Sequence, residues 1–156
     1  MTPVVPGVIE TDRLVLVPLD DEVAEHILSG DASCLDHVPG WPHDDTVDAV
    51  RLRARGAAVW LVALDGFVIG DCGTAGPIVD GTVEIGFGLA EDERGLGYGT
   101  ELVAALSDWL LAQDGVSSVV ATADVDNAAS RRVLERSAFE LAEVRDRSAR
   151  YIRADG

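Results

Sequence analysis

Glu93-Arg94-Gly95-Leu96-Gly97-Tyr98-Gly99-Thr100 is a glycine-rich turn set between a strand-like run and an amphipathic helix. It reads as a pyrophosphate cradle. Glycines at 95, 97 and 99 remove the side chains that would hold an anion off the backbone, and the helix that follows offers unpaired N–H groups at its positive end. The amides of residues 95–100 would take the anion, those of Leu96, Tyr98 and Thr100 included, and Arg94 adds a charge suited to a phosphate. Two other phosphate loops fit less well. A P-loop needs a lysine after its last glycine, but Thr100 follows Gly99 and the chain contains no lysine. A dinucleotide fingerprint needs Gly-x-Gly-x-x-Gly, and here the third glycine falls one position early.

The pattern that does fit is Arg-x-x-Gly-x-Gly, from Arg94 to Gly99. Val83-Glu84-Ile85-Gly86-Phe87-Gly88-Leu89 stands before it, and Asp126-Asn127-Ala128-Ala129-Ser130-Arg131-Arg132-Val133-Leu134-Glu135 after it. In this order and spacing the three blocks resemble the GNAT superfamily of acyl-CoA-dependent N-acetyltransferases. The opening Glu10-Thr11-Asp12-Arg13-Leu14-Val15-Leu16 is similar to the first strand of the branch that includes ribosomal-protein N-terminal acetyltransferases. The resemblance implies an α/β (α+β) fold, with a mixed, mostly antiparallel central sheet of about seven strands flanked by about four helices. Residues 1–9 are expected to be loose and residues 10–156 to form a single domain.

Composition narrows the function. A net charge of -16 argues against nucleic-acid binding, which needs a basic face. An acidic surface favours cationic partners such as an amine acceptor, although it serves solubility equally well. Against this background Arg131, Arg132 and Arg136 cluster on one predicted helix, where they form either a basic patch beside Arg94 or a solvated face. The longest core-like stretch, Ala57 to Leu64, is too short to span a bilayer, and the first charged side chain is Glu10, so no basic leader is read. Cys34 and Cys72 lie far apart and imply neither a disulfide framework nor zinc, which makes a reducing cytoplasm the simplest home. Oligomeric state is not written in the chain; a homodimer is compatible with it.

Hydrophobic spacing orders the elements. A strand at residues 14–18 precedes helices at 20–28 and 46–55, separated by a loop at 29–45. Asp65-Gly66 and Asp80-Gly81 mark hairpin turns. The helix opening at Gly97 buries Leu102, Val103, Leu106, Trp109 and Leu110 and stops near Gly115; strand 116–122, helix 127–136 and closing strands at 139–144 and 150–154 follow.

Acetyl transfer from a thioester to an amine needs a bound donor, a neutral amine, a donor to the carbonyl oxygen and a proton for the thiolate. The resemblance places the pantetheine of acetyl-CoA beside Phe87, Gly88 and Leu89, with a backbone N–H of Phe87 or Leu89 polarising the carbonyl. Glu84 is the sole acid in its apolar run, and the family's recurring glutamate there makes it the candidate general base; otherwise it is a carboxylate on a solvated strand face. Asn127 and Ser130 suit a helix cap, and their family counterparts contact the pantetheine arm. Many relatives carry a tyrosine seven residues after that asparagine as general acid, but here Leu134 stands there, which leaves Ser130, a water or a substrate proton. Ser137-Ala138-Phe139 replaces the relatives' Leu-Gly-Phe. His37, Trp41 and His43 lie in the loop that would line the acceptor side; their spacing does not suggest a metal site. The acceptor implied is a primary amine, either a protein N-terminus or a small cationic amine. A non-catalytic acyl-CoA sensor is the alternative that Leu134 encourages.

Overall fold

The computed structural model describes residues 2–154. Its strands are β1 (Ile9–Glu10), β2 (Val15–Pro18), β3 (Val59–Leu64), β4 (Phe67–Thr74), β5 (Thr82–Leu89), β6 (Ser118–Asp124), β7 (Glu140–Arg145) and β8 (Ser148–Ala154). The helices are α1 (Asp21–Leu28), α2 (Asp44–Arg51), α3 (Tyr98–Leu111) and α4 (Ala128–Arg136). All eight strands form one sheet in the order β1-β2-β3-β4-β5-β6-β8-β7. It is the mixed, mostly antiparallel sheet expected, with one strand more because Ile9 and Glu10 pair with Leu16 and Val15.

Residues 2–9 are not loose. Thr2 bridges to Ile78, Val4 and Ile9 are buried, and the Gly7 carbonyl accepts the Trp60 indole N–H at 2.7 Å. A buried indole needs a partner for its N–H, and this segment supplies it. The turns at Asp65-Gly66 and Asp80-Gly81 have positive φ at both central residues, the backbone that suits tight hairpins. Helix α2 starts two residues before Thr46 because the His43 N–H bonds Thr46 Oγ1 at 3.3 Å and closes the first turn early. Its expected last turn, Leu52–Arg55, is a 3-10 turn.

Strand β3 is buried on both faces. Trp60 and Val62 join the core formed with Leu102, Val103, Leu106 and Leu110 of α3, whereas Val59 and Leu61 join Ala24, Ile27 and Val50 of α1 and α2. The parallel pair at the centre of the sheet positions the site. Strands β5 and β6 are in register from Thr82/Ser118 to Ile85/Ala121 and then part. Beyond that point Gly86 to Leu89 pair only with β4, and Thr122 to Asp124 only with β8. A crevice therefore opens at the carboxyl ends of two parallel strands, between the N-termini of α3 and α4, where open α/β sheets bind ligands.

Candidate active site

The turn from β5 to α3 forms one wall of the crevice, and its glycines have different jobs. Gly95 (φ +79°) and Gly97 (φ +87°) hold left-handed conformations that side chains resist. Gly97 is the N-cap of α3, and no side chain caps that helix, so its first N–H groups are left for a ligand. Gly99 instead lets two helices meet, since a Cβ there would stand 3.0 Å from Val133 Cγ2 on α4. Arg94 donates from Nε to the Leu89 carbonyl at 3.2 Å, tying the turn to the end of β5.

The turn is braced from behind by the residues that open the chain's first long strand. Arg13 donates to the Leu96 carbonyl at 3.1 Å and to Glu101 Oε1 at 2.7 Å, and its guanidinium lies 4.5 Å above the Tyr98 ring. The Arg13 N–H and the Thr11 hydroxyl both bond Glu101 Oε2. Partial burial works to raise the Glu101 carboxyl, but the hydrogen bonds from Thr11 and Arg13 outweigh it and hold it below its ordinary range. Leu96 and Tyr98 therefore belong to the brace and do not line the crevice.

Helix α4 is the opposite wall. Asn127 Oδ1 caps it by accepting the Ser130 N–H at 3.1 Å, and both residues line the crevice. Arg132 and Arg136, one turn apart, line it too. Arg131 does not: it donates to the Tyr151 hydroxyl at 2.9 Å and to the Val125 carbonyl at 3.1 Å on the other side of the helix. Leu134 is fully buried in the core, and the chain's two tyrosines, Tyr98 and Tyr151, are both engaged elsewhere.

The resulting cavity has a volume of about 630 Å³. Phe87, Gly88, Leu89, Arg94, Gly95, Gly97, Gly99, Thr100, Asn127 and Ser130 line it together, as does His43 with Asp44 and Asp45 at the start of α2. Glu84 does not. It alternates with buried Val83 and Ile85, so its side chain is exposed on the face it shares with Gly86 and Gly88, two pairs of residues nearer the start of β5 than the lining. His37 and Trp41 also lie outside the lining. Trp41 is buried in the core beneath α1 and α2, with the His37 ring packed 5.7 Å from it.

A buried carboxylate that the motif reading passed over lies behind this lining. Asp71, 4% exposed, pairs with Gly88 across β4 and β5 and accepts hydrogen bonds from Trp41 Nε1 at 2.9 Å and Thr46 Oγ1 at 2.6 Å. Burial raises its carboxyl above the ordinary range, against the pull of those two bonds and of His43, whose Nε2 lies 3.8 Å away. The sequence signal was available: Asp71 is the one charged residue of Phe67–Thr74.

The residues present fit an acyl-CoA. An uncapped helix N-terminus, two left-handed glycines and three arginines face one cavity in a chain of net charge -16. Comparison with known proteins agrees with this chemistry. The acetyltransferase (GNAT) domain family matches residues 13–140. The uncharacterized N-acetyltransferase YjdG of Bacillus subtilis (strain 168) is 27% identical over 150 residues, covering 85% of this chain and 89% of its own. Among solved structures, the ribosomal L7/L12 α-N-protein acetyltransferase RimL in complex with coenzyme A superposes with a TM-score of 0.69 at 21% identity, covering 95% of this chain and 98% of that one. The Salmonella typhimurium acetyltransferase that modifies the N-terminal serine of ribosomal protein L7/L12 gives 0.69 at 22% identity, covering 96% and 100%.

Proposed function

We propose, for a chain that belongs to the GNAT acetyltransferase family, that this N-acetyltransferase moves an acetyl group from acetyl-CoA directly to a primary amine held in the same cavity. The observation that carries this reading is the two-signed cavity at the parting of β5 and β6. Its α4 wall and glycine turn present Arg94, Arg132 and Arg136, and its α2 wall presents Asp44 and Asp45. Anionic phosphates suit the first, and an ammonium suits the second. Asp44 and Asp45 also suit the positive end of α2 in their own right.

When bound, acetyl-CoA supplies an activated acetyl thioester. Gly95, Gly97 and the first N–H groups of α3 hold its pyrophosphate, Arg132 and Arg136 add positive charge, and Asn127 and Ser130 stand along the pantetheine path. A backbone N–H at Phe87 or Leu89 is the donor to the carbonyl oxygen. Ser130 or a water serves the departing thiolate, since Leu134 has no proton to give. The acceptor class favoured first is a protein α-amine, supported by the solved neighbours that act on ribosomal L7/L12; a small cationic amine is second.

Thermal unfolding with acetyl-CoA, desulfo-CoA and NAD tests the donor site before any acceptor is known. At a hundredfold excess over the dissociation constant, both CoA ligands stabilise by about 2.7 kcal/mol and raise the midpoint by roughly 5 to 10 °C, and NAD does not. A flat response to acetyl-CoA at millimolar concentration overturns the reading. Thiol release with serine-initiated peptides and with polyamines then separates the two acceptor classes, and a CoA response without release in any amine favours the sensor.

A further inference from the structure

Gly86 is the first residue of β5 beyond its last pair with β6, so it stands where the crevice opens. A glycine inside a strand gives up packing and β-propensity, and it is kept either because a neighbour leaves no room for a side chain or because a ligand approaches the backbone. The other glycines of β4 and β5 have such a neighbour. A Cβ at Gly70 would strike the Gly88 carbonyl, one at Gly73 would strike the Ala58 carbonyl, and one at Gly88 would lie 3.0 Å from Cε1 and Nε2 of the His43 ring. Gly86 has none. Beyond its own chain neighbours, no heavy atom lies within 4 Å of the place its Cβ would take, and its φ is outside the left-handed range that favours glycine.

The groups around that open space suit an amine. Side chains recur on one strand face every second residue, so Gly86 shares its face with Glu84 on one side and Gly88 on the other, about 7 Å away in each direction. Glu84 is exposed, and its carboxylate suits an approaching ammonium. Toward the cavity, the His43 ring sits over Gly88. Both ring nitrogens are turned to the protein: the side chain takes the Thr46 N–H in the capping box that opens α2, and Nε2 lies 3.8 Å from Asp71 Oδ2. The ring therefore bounds the space as a fixed wall.

We propose that Gly86 seats the acceptor: the chain that bears the amine lies over this residue, between Glu84 and the His43 ring, and the missing side chain is what admits it. The proposal rests on the acetyltransferase reading above and gives its amine a line of approach. An extended peptide rises along its length as a strand does, so a chain whose amine meets the thioester beside Phe87 to Leu89 covers Gly86 with its first two residues. The acceptor this fits is an α-amine at the end of an extended peptide. Position 86 then sets acceptor use, because any side chain there stands in the peptide's path.

The test compares wild type with Gly86→Ala and Gly86→Val. Open space receives the new side chain and a β-branched residue suits a strand, so the valine variant should raise the unfolding midpoint by roughly 2–4 °C. Its acetyl-CoA affinity in isothermal titration and its KM for acetyl-CoA should be unchanged. With a serine-initiated hexapeptide, kcat/KM should fall about tenfold in the alanine variant and about a hundredfold in the valine variant. A glycine kept for the fold would give the opposite pair, a lower midpoint with turnover intact. A second probe needs no turnover: the sulfur of CoA is joined through a CH2–CO group to the α-nitrogen of the same hexapeptide, which holds the chain where an acceptor must lie. In the ¹⁵N spectrum of wild type, the Gly86 amide should move with this conjugate and stay in place with acetyl-CoA. A destabilised valine variant, full turnover of the hexapeptide by it, or a Gly86 amide blind to the conjugate overturns the proposal and leaves the acetyltransferase reading standing. No thermal shift with acetyl-CoA in wild type overturns both. Where wild type does not turn the hexapeptide over, the conjugate decides: a moved Gly86 amide supports the proposal, and an unmoved one overturns it.

Discussion

Replacing Glu101 with glutamine tests whether the first strand braces the glycine turn. The carboxylate accepts the Arg13 N–H at 2.9 Å, the Arg13 side chain at 2.7 Å and the Thr11 hydroxyl. Hydrogen bonds to a charged group contribute about 1.5–3 kcal/mol each when sheltered. The Arg13 side chain is 45% exposed against 18% for Glu101, so solvent reduces that pair to about 1 kcal/mol at most. Glutamine keeps one acceptor oxygen but turns an N–H toward a donor. The net loss is then about 2–3 kcal/mol, a fall in midpoint of roughly 5–10 °C for a domain of this size. The sign with pH is fixed by the lowered Glu101 carboxyl. Its contribution is fully present above the unfolded glutamate value, about 4.3, and disappears as pH falls through the lower folded value. Denaturation of both proteins by urea from pH 7 to pH 3 should show a gap that narrows on the acid side of about pH 4. The Leu96 carbonyl anchor loosens with Arg13, so acetyl-CoA affinity falls along with stability. A variant as stable as wild type at pH 7, or a gap that persists undiminished at pH 3, refutes the brace.

The two faces of α4 should separate cleanly. Arg132→Ser with Arg136→Ser weakens acetyl-CoA by about tenfold in isothermal titration, with a shallower salt dependence and little change in midpoint, because both guanidinia are exposed at the cavity. Arg131→Ala does the reverse, lowering the midpoint through the lost bonds to Tyr151 and Val125 while leaving affinity intact. Ala138, which ends α4 at φ +69°, occupies the left-handed position where relatives have glycine; Ala138→Gly should therefore stabilise the chain by about 1 kcal/mol in urea denaturation, with turnover unchanged.

What the sequence disclosed and what it withheld divide along the range of the interactions involved. The glycine turn, the Asn127 cap and the order of β5, α3, β6 and α4 were legible because backbone conformation and hydrophobic phase are written within a few residues of one another. Residues 2–9 looked loose because nothing local orders them; their partners, Trp60 and Ile78, are more than fifty residues away. The second task of Gly99, letting α3 meet Val133 of α4, was hidden for the same reason, since that contact joins two separate helices. The arginines of α4 could not be ranked because adjacent residues differ by about 100° around a helix, and only the packed structure says which side meets the crevice.

Glu84 and Asp71 show the same limit in opposite directions. Each is a single acid in an apolar strand, so strand composition alone does not tell them apart. Period-two alternation puts Glu84 opposite to Val83 and Ile85, on the face it shares with Gly86 and Gly88 but nearer the start of β5, where its side chain is exposed. Asp71 has the same alternation but lies under the loop that carries Trp41, His43 and Thr46, a loop with few hydrophobic landmarks of its own. A carboxylate buried to that depth is costly unless its neighbours are arranged around it, and here they are arranged so that one nitrogen beside the cavity is left unbonded. The acid that fits the family's pattern is therefore the one the fold leaves in water. The acid outside the pattern is the one whose burial the rest of the site has been built to support.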